Sequence, residues 1–208
     1  MLITNFPKLI GLAGFCALTT ILSSIGQAKE PNITQSMNLF GKVLLFPPPA
    51  WVKPSAGKDA LKLSAFNRKQ NKNTFLFEMV PKSEGFQNWK SLYAVIAMNG
   101  VMSPKRMKTE IMGIFKKACT AKTLKIERIA APRKDLMRVV YCGSYKQNPA
   151  GGQIGVFYFA GSGKVTTRVY HEWRGSSFNP SNDSEWPVSK AQLSQTISAM
   201  LDNVRLGK

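Results

Sequence analysis

Acidic residues are scarce in this sequence, with 11 Asp plus Glu against 29 Lys plus Arg in 208 residues. Histidine is nearly missing, His171 being the single one, and cysteine occurs only at positions 16, 119 and 142. Each shortage removes a class of chemistry. The carboxylates do not pair at a spacing that suggests a metal site or an acid/base couple, which argues against a metal-dependent or glycosidase-like enzyme. No CxxC spacing exists, so a zinc site lacks its usual ligands. Internal repeats, heptad arrays and low-complexity tracts are absent, which excludes a solenoid or a coiled coil. After residue 28 no apolar run approaches the ~20 residues that a membrane-spanning helix needs. No cofactor is expected.

The first 28 residues read as a leader. "MLITNFPK" carries one lysine and no acid, "LIGLAGFCALTTIL" is an apolar run, and Gly26 and Ala28 stand where a signal peptidase wants small residues. This predicts a signal peptide cut before Lys29. The alternative, a membrane anchor, needs a longer apolar run. A lipoprotein signal is disfavoured because Phe15 precedes Cys16 inside that run. Residues 29–208 then form the exported chain, a length that suits one domain.

Lys8 is the only charged residue of the leader, so residues 29–208 hold 28 basic and 11 acidic residues, a net charge of +17. Solubility asks for a magnitude of only about 2–8 in a small domain. The excess points to an anionic partner, such as phosphate-bearing lipid, nucleic acid or another polyanion. A proteome-wide basic bias is the competing explanation. Cys119 and Cys142 remain after leader removal, and an even count in an exported chain predicts a disulfide. A catalytic cysteine is the alternative, and a lone histidine gives it little support.

Periodicity supplies the elements. "GKVLLF", "ALKLSAFNRK" and "TFLFEMV" read as strands, the last two alternating around a polar hairpin loop. Residues 29–37 read as a loose terminus. In "FQNWKSLYAVIAMNG", Trp89, Leu92, Tyr93 and Ile96 recur at helical spacing and Asn99-Gly100 ends the run, so a helix is expected. A second helix is expected over Met102–Lys122, capped by Ser103, with Pro104 at its first position, Met102 and Met107 as a staple, and Met107, Ile111, Ile114, Phe115 and Ala118 as its apolar stripe. Four more strands follow, in "TLKIERIAA", "LMRVVYCGSY", "QIGVFYFA" and "KVTTRVYHEW". The last helix is marked by a Ser189/Gln192 capping box, a Val188/Leu193 staple and a stripe of Leu193, Ile197, Leu201 and Val204. The expected fold is α+β: one domain, a mostly antiparallel sheet of six or seven strands, two central helices and a C-terminal helix packed on it.

Pro81 ends a strand before "PKSEGFQNWKSLYAV", in which Asn88 and Trp89 stand ahead of the next expected helix. In this cadence and in element order the chain resembles small exported bacterial proteins with the α/β sandwich of the Mog1, PsbP and DcrB-like families. The resemblance covers residues 40–100 and the element order beyond. It implies a non-catalytic binding or assembly role and carries over no active-site residues.

Two motifs invite catalytic or nucleotide readings. His171 in "VYHEWR" would share a strand face with Val169 and Trp173, opposite Tyr170, Glu172 and Arg174. That company suits a core histidine better than a catalytic one. "AGSGKVT" resembles a phosphate loop, but Tyr158 stands where that motif needs glycine and Val165 where it needs Ser or Thr. It reads as a hairpin turn.

The basic surface carries the functional expectation. Lys105, Arg106, Lys108, Lys116, Lys117, Lys122, Lys125, Arg128, Arg133 and Lys134 face only Glu110 and Glu127 within Ser103–Lys134, a net of +8 in 32 residues. Lys105, Arg106 and Lys108 sit at a helix start, where each cation costs about a few tenths of a kcal/mol against the dipole. Amides at a helix start attract anions, so this cost suits a phosphate-sized site. A solvated basic face is the alternative. A second basic group is Lys53, Lys58, Lys62, Arg68, Lys69 and Lys72, with Trp51 and Phe46 nearby as membrane-contacting aromatics or as core-edge residues. The expected function is therefore an exported, non-enzymatic binding protein, periplasmic or secreted, for an anionic partner such as phosphoinositide or acidic phospholipid headgroups. An envelope assembly module that binds another protein is the alternative, and a hydrolase using His171 comes third.

Overall fold

The computed structural model describes residues 34–52, 62–100, 102–132 and 135–207, which form one compact unit. The expected leader lies outside the described residues, as do Lys53, Lys58, Arg133 and Lys134.

Among the described residues ten strands build two sheets. β1 (Gln35–Leu39), β2 (Lys42–Phe46) and the two-residue β10 (Arg205–Leu206) form a small antiparallel sheet in the order β1-β2-β10. The remaining strands are β3 (Ser64–Gln70), β4 (Thr74–Pro81), β5 (Ser91–Asn99), β6 (Leu124–Ile129), β7 (Leu136–Cys142), β8 (Gly151–Ser162) and β9 (Val165–Ser176). They make one antiparallel seven-stranded sheet in the order β3-β4-β5-β9-β8-β7-β6. Two meanders, β3-β4-β5 and β6-β7-β8-β9, meet where β5 pairs with β9, for example Tyr93 opposite His171.

Among the described residues two α-helices cover this sheet. α1 (Pro104–Ala118) packs on one face over β7, β8 and β9. Its core there includes Met107, Met112, Phe115, Phe157, Phe159 and Tyr170. α2 (Lys190–Asn203) and the small sheet cover the other face, burying Leu39, Leu44 and Phe46 with Phe75, Tyr93 and Val156. Full burial of side chains this size stabilises by roughly 1.5–3 kcal/mol each. The Tyr93 hydroxyl donates to the Pro47 carbonyl at 2.7 Å and so ties the large sheet to the segment after β2.

Both helix starts follow their sequence signals. Ser103 and Ser189 cap α1 and α2 by accepting the amides of Arg106 and Gln192. The α1 stripe is shifted from the expected one: Met112 is buried, while Ile114 is 59% exposed.

Three elements differ from expectation. The segment read as a first central helix is β5, so there is one central helix. Its side chains are apolar on both faces, with Tyr93, Val95 and Ala97 in one core and Leu92, Ala94 and Ile96 against the other. A strand buried on both faces has no alternation, and its apolar run falls into helical spacing by accident. Asn88-Trp89 accordingly precedes a strand. The expected loose terminus contains β1, which pairs with β2 in full register from Gln35–Phe46 to Leu39–Lys42. The chain's end adds β10 to β2.

The disulfide joins Cys119 after α1 to Cys142 at the end of β7, and both residues are fully buried. Just beyond, Gly143 lies where the chain passes under Phe178. A Cβ there would stand 2.3 Å from the Phe178 carbonyl oxygen and 2.9 Å from Thr123 Cβ. Gly143→Ala should therefore cost about 1–3 kcal/mol through overpacking. Gly113→Ala, inside α1 where nothing lies within 4 Å of the added carbon, should instead stabilise by about 0.5–1 kcal/mol. Thermal unfolding of the two variants should shift in opposite directions; equal shifts would refute the packing around Gly143.

Candidate functional site

The start of α1 opens into a cleft of about 880 Å³. Ser103, Lys105 and Arg106 line it from the helix, Lys164 and Gly163 from the β8–β9 turn, and Asp135 from the start of β7. Asp135 accepts the Tyr158 hydroxyl at 2.9 Å. The β8–β9 turn has only two residues between Ser162 and Val165. Gly163 takes φ +59°, a conformation that costs glycine little and that a tight hairpin requires at this position. The segment examined as a phosphate loop is therefore a hairpin turn, as its flanking strands imply. It still delivers Lys164 to the helix start.

The backbone of the helix start offers less than the sequence suggests. Pro104 has no N–H, the Arg106 amide donates to Ser103 Oγ at 3.3 Å, and the Met107 amide donates to the Ser103 carbonyl at 2.9 Å. The Lys105 amide is left as the first-turn donor. Arg106 also forms an exposed pair with Glu110 at 3.0 Å, an i,i+4 contact worth about 0.3–0.5 kcal/mol. An anion here would be held mainly by side-chain charge.

The ten expected residues do not form one surface. Lys105 and Arg106 line the cleft, and Lys108 lies on the next turn, half-buried. Lys116 and Lys117 are exposed at the other end of α1, some 11 residues or roughly 16 Å along the helix. Lys122 is exposed in a short 3-10 turn after the disulfide cysteine. Lys125 pairs with Glu127 at 2.6 Å and lies over the Tyr141 ring, on the sheet face away from α1. Arg128 stands opposite Arg138 on the α1 face. Desolvation first and the Arg128 charge second push the Arg138 guanidinium below its ordinary value.

The second basic group is elsewhere again. Lys62, Arg68, Lys69 and Lys72 are exposed around β3 and its turn, at the opposite edge of the sheet from β6. Neither nearby aromatic reaches outward as a membrane contact would. Phe46 is 1% exposed and stacks on Tyr93, so it is a core residue. Trp51 donates its indole N–H to Ser64 Oγ at 2.9 Å and sets its edge against His171.

His171 is fully buried. Its Nε2 is 2.8 Å from Ser91 Oγ, and its ring stacks on Trp173 at 4.0 Å. Burial pushes its pKa from 6.5 down to about 3. The neutral ring is a core element here, with Nδ1 lacking a hydrogen-bond partner. A Ser–His contact of this length resembles a nucleophile and base, but the ring offers no face to a solvent-borne substrate.

Sequence reasoning missed Lys164, and it missed a polar group under α1 made by Arg168, Glu172 and Arg174. The strand parity of "VYHEWR" already placed Glu172 and Arg174 on one face; what lies over that face is set by chain topology. Among the described residues no helix is long and apolar enough to cross a membrane, and no group of three His, Cys, Asp or Glu could hold a metal ion. No protein-family model matches the chain, and no curated protein matches it.

Proposed function

We propose that the protein is an exported, non-enzymatic binding protein that engages an anionic partner, phosphate-bearing lipid headgroups foremost, through the cleft at the start of α1. The carrying observation is that Lys105, Arg106 and Lys164 come from two separate elements and line one open cleft. Cations brought together by folding rather than by sequence proximity suit a multiply charged headgroup, which needs donors from several directions. The net charge of the chain raises the local concentration of any anionic surface. A disulfide in the core fits an oxidising compartment outside the cytoplasm. The resemblance to exported sandwich proteins points the same way, to binding rather than chemistry.

The test is cosedimentation of the chain, expressed from Lys29, with neutral, phosphatidylserine and phosphoinositide vesicles. Headgroup-selective binding should fall at least tenfold in the Lys105→Glu/Lys164→Glu variant. It should weaken steeply as salt rises toward physiological strength. Binding that follows total lipid charge and ignores the variant would reduce the cleft to a generic basic surface.

A protein partner is the second reading, and one observation favours it. Leu63, 47% exposed, precedes β3 and Phe66, 60% exposed, lies within it, and among the described residues β3 pairs with β4 alone. Exposed apolar side chains on an edge strand suit an added strand from another chain. Vesicle binding absent at physiological salt would shift the assignment to this surface.

A further inference from the structure

A second cavity, of about 290 Å³, lies between α1 and the sheet. Its floor is the face of β8 and β9 that carries Gln153, Phe157, Arg168, Tyr170, Glu172 and Arg174. Its roof is the apolar underside of α1, from Ile111 to Ala118. One end is therefore charged and the other is apolar. At ~30 Å³ per water the space equals about ten waters, enough for a ligand of a similar number of heavy atoms.

The charged end is built rather than incidental. Arg174 lies over the Trp89 ring at 3.7 Å and donates from Nε to Gln153 Oε1 at 3.3 Å. Gln153 Oε1 also receives the Tyr145 hydroxyl. Arg168 is only 8% exposed, and its guanidinium lies over Tyr170 at 4.4 Å. Its Nε is buried without a hydrogen-bond partner. Buried donors of this kind are almost always paired, so an unpartnered arginine donor in a cavity wall marks a place for an acceptor. Ile114 is 59% exposed and still forms part of the lining.

Glu172 sits between the two arginines on the same strand face. Burial raises its carboxyl from 4.5 to about 7, more than Arg168, Arg174 and the Gln153 hydrogen bond lower it, with Glu78 of β4 adding to the rise. Tyr145 and Tyr170 are the other titratable lining groups, and α1 contributes only apolar side chains to the lining.

We infer that this cavity binds a small monocarboxylate with an apolar tail, its carboxylate held at the Arg168 guanidinium and its tail lying under Ile111, Ile114 and Phe115. A planar guanidinium matches the fork of a carboxylate. A mixed lining with few convergent polar groups is the usual makeup of a small-molecule site. A protonated Glu172 donates to the ligand rather than repelling it, so occupancy favours acid conditions. The site uses residues separate from the cleft and stands independently of the anionic-surface reading.

Calorimetric titration of the purified chain with octanoate tests this, with octanol and octylamine as controls. At pH 6 octanoate should bind with one-to-one saturation, at least tenfold tighter than either control. Arg168→Gln should weaken it tenfold or more, whereas Arg174→Gln, at the far end of the floor, should change it little. Ile114→Asp changes an exposed position, so it should leave the unfolding midpoint in place while also weakening binding tenfold. Affinity should drop between pH 6 and pH 8 in the parent chain and stay level in Glu172→Gln. Octanol binding as tightly as octanoate, or octanoate affinity unchanged in Arg168→Gln and in Ile114→Asp, would overturn the assignment.

Discussion

Between pH 6.5 and 4.5 the Glu172→Gln variant should lose roughly 2 kcal/mol of stability more than the parent chain. Two neighbouring residues on opposite faces of β9 set this up. His171 has its folded pKa depressed from 6.5 to about 3 by burial. The unfolded chain therefore binds a proton that the folded one refuses, and stability is lost as pH falls below 6.5. Glu172 has its folded pKa raised from 4.5 to about 7. Here the folded chain holds the proton more tightly, so stability is gained as pH falls through 7 and is fully present below 4.5. At about 1.4 kcal/mol per pKa unit the two effects are of similar size and opposite sign across the shared window. Glutamine keeps the shape and removes the compensating half. Surface carboxylates contribute equally to both curves and drop out of the difference. Urea unfolding midpoints measured from pH 4.5 to 8 check it; parallel curves for parent and variant would mean the two groups are not buried as described.

Removing the disulfide should cost roughly 3 kcal/mol, the loop-closure value for a bridge of this span. Cys119 and Cys142 are 23 residues apart in sequence. The loop they close contains the 3-10 turn and β6, an edge strand that pairs with β7 alone. Among the described residues that edge has no second neighbour, so the bridge and the contacts of Leu124 and Ile126 under α1 add to its ladder with β7. The double variant Cys119→Ala/Cys142→Ala is preferable to serine, because a serine at a fully buried position leaves a hydroxyl to satisfy. Denaturant unfolding of the variant and of the oxidised parent gives the difference. Two titratable thiols in the untreated parent, or coincident midpoints, would refute the bridge.

Much of this architecture was legible in the residues, and the failures share a cause. α1 and α2 announced themselves through Ser103, Pro104, Ser189 and one-sided apolar stripes, all local signals. β6 to β9 were bounded by turn residues. β5 was misread because Leu92 to Met98 is buried from both sides, and periodicity reports only a difference between faces. β1 and β10 draw their stability from pairing with β2, a contact between distant parts of the chain that no local pattern encodes. The same distinction divides the sites. Lys105 and Arg106 were found because they are adjacent. Lys164 stands in a hairpin-turn motif, and only the hairpin's placement beside α1 gives it a role. Arg168, Glu172 and Arg174 were visible as one strand face, but a cavity exists only once a helix from 50 residues upstream lies over them.

The strands that form the edges of the seven-stranded sheet among the described residues bear on the protein's charge in another way. β3 exposes Arg68 and Lys69, and β6 exposes Lys125 and Arg128. A bare edge is a template for another copy of the same chain, and ribbon-like stacking begins when two such edges meet. Here such a meeting brings these cations together, with Glu127 of β6, paired to Lys125, partly offsetting them. Part of the basic excess thus acts as a spacer between molecules, holding copies apart in crowded surroundings whatever else the remaining charge recognises. Screening by salt weakens that repulsion within about 8–10 Å at physiological strength, so the protection is strongest at the short range where two edges would first register.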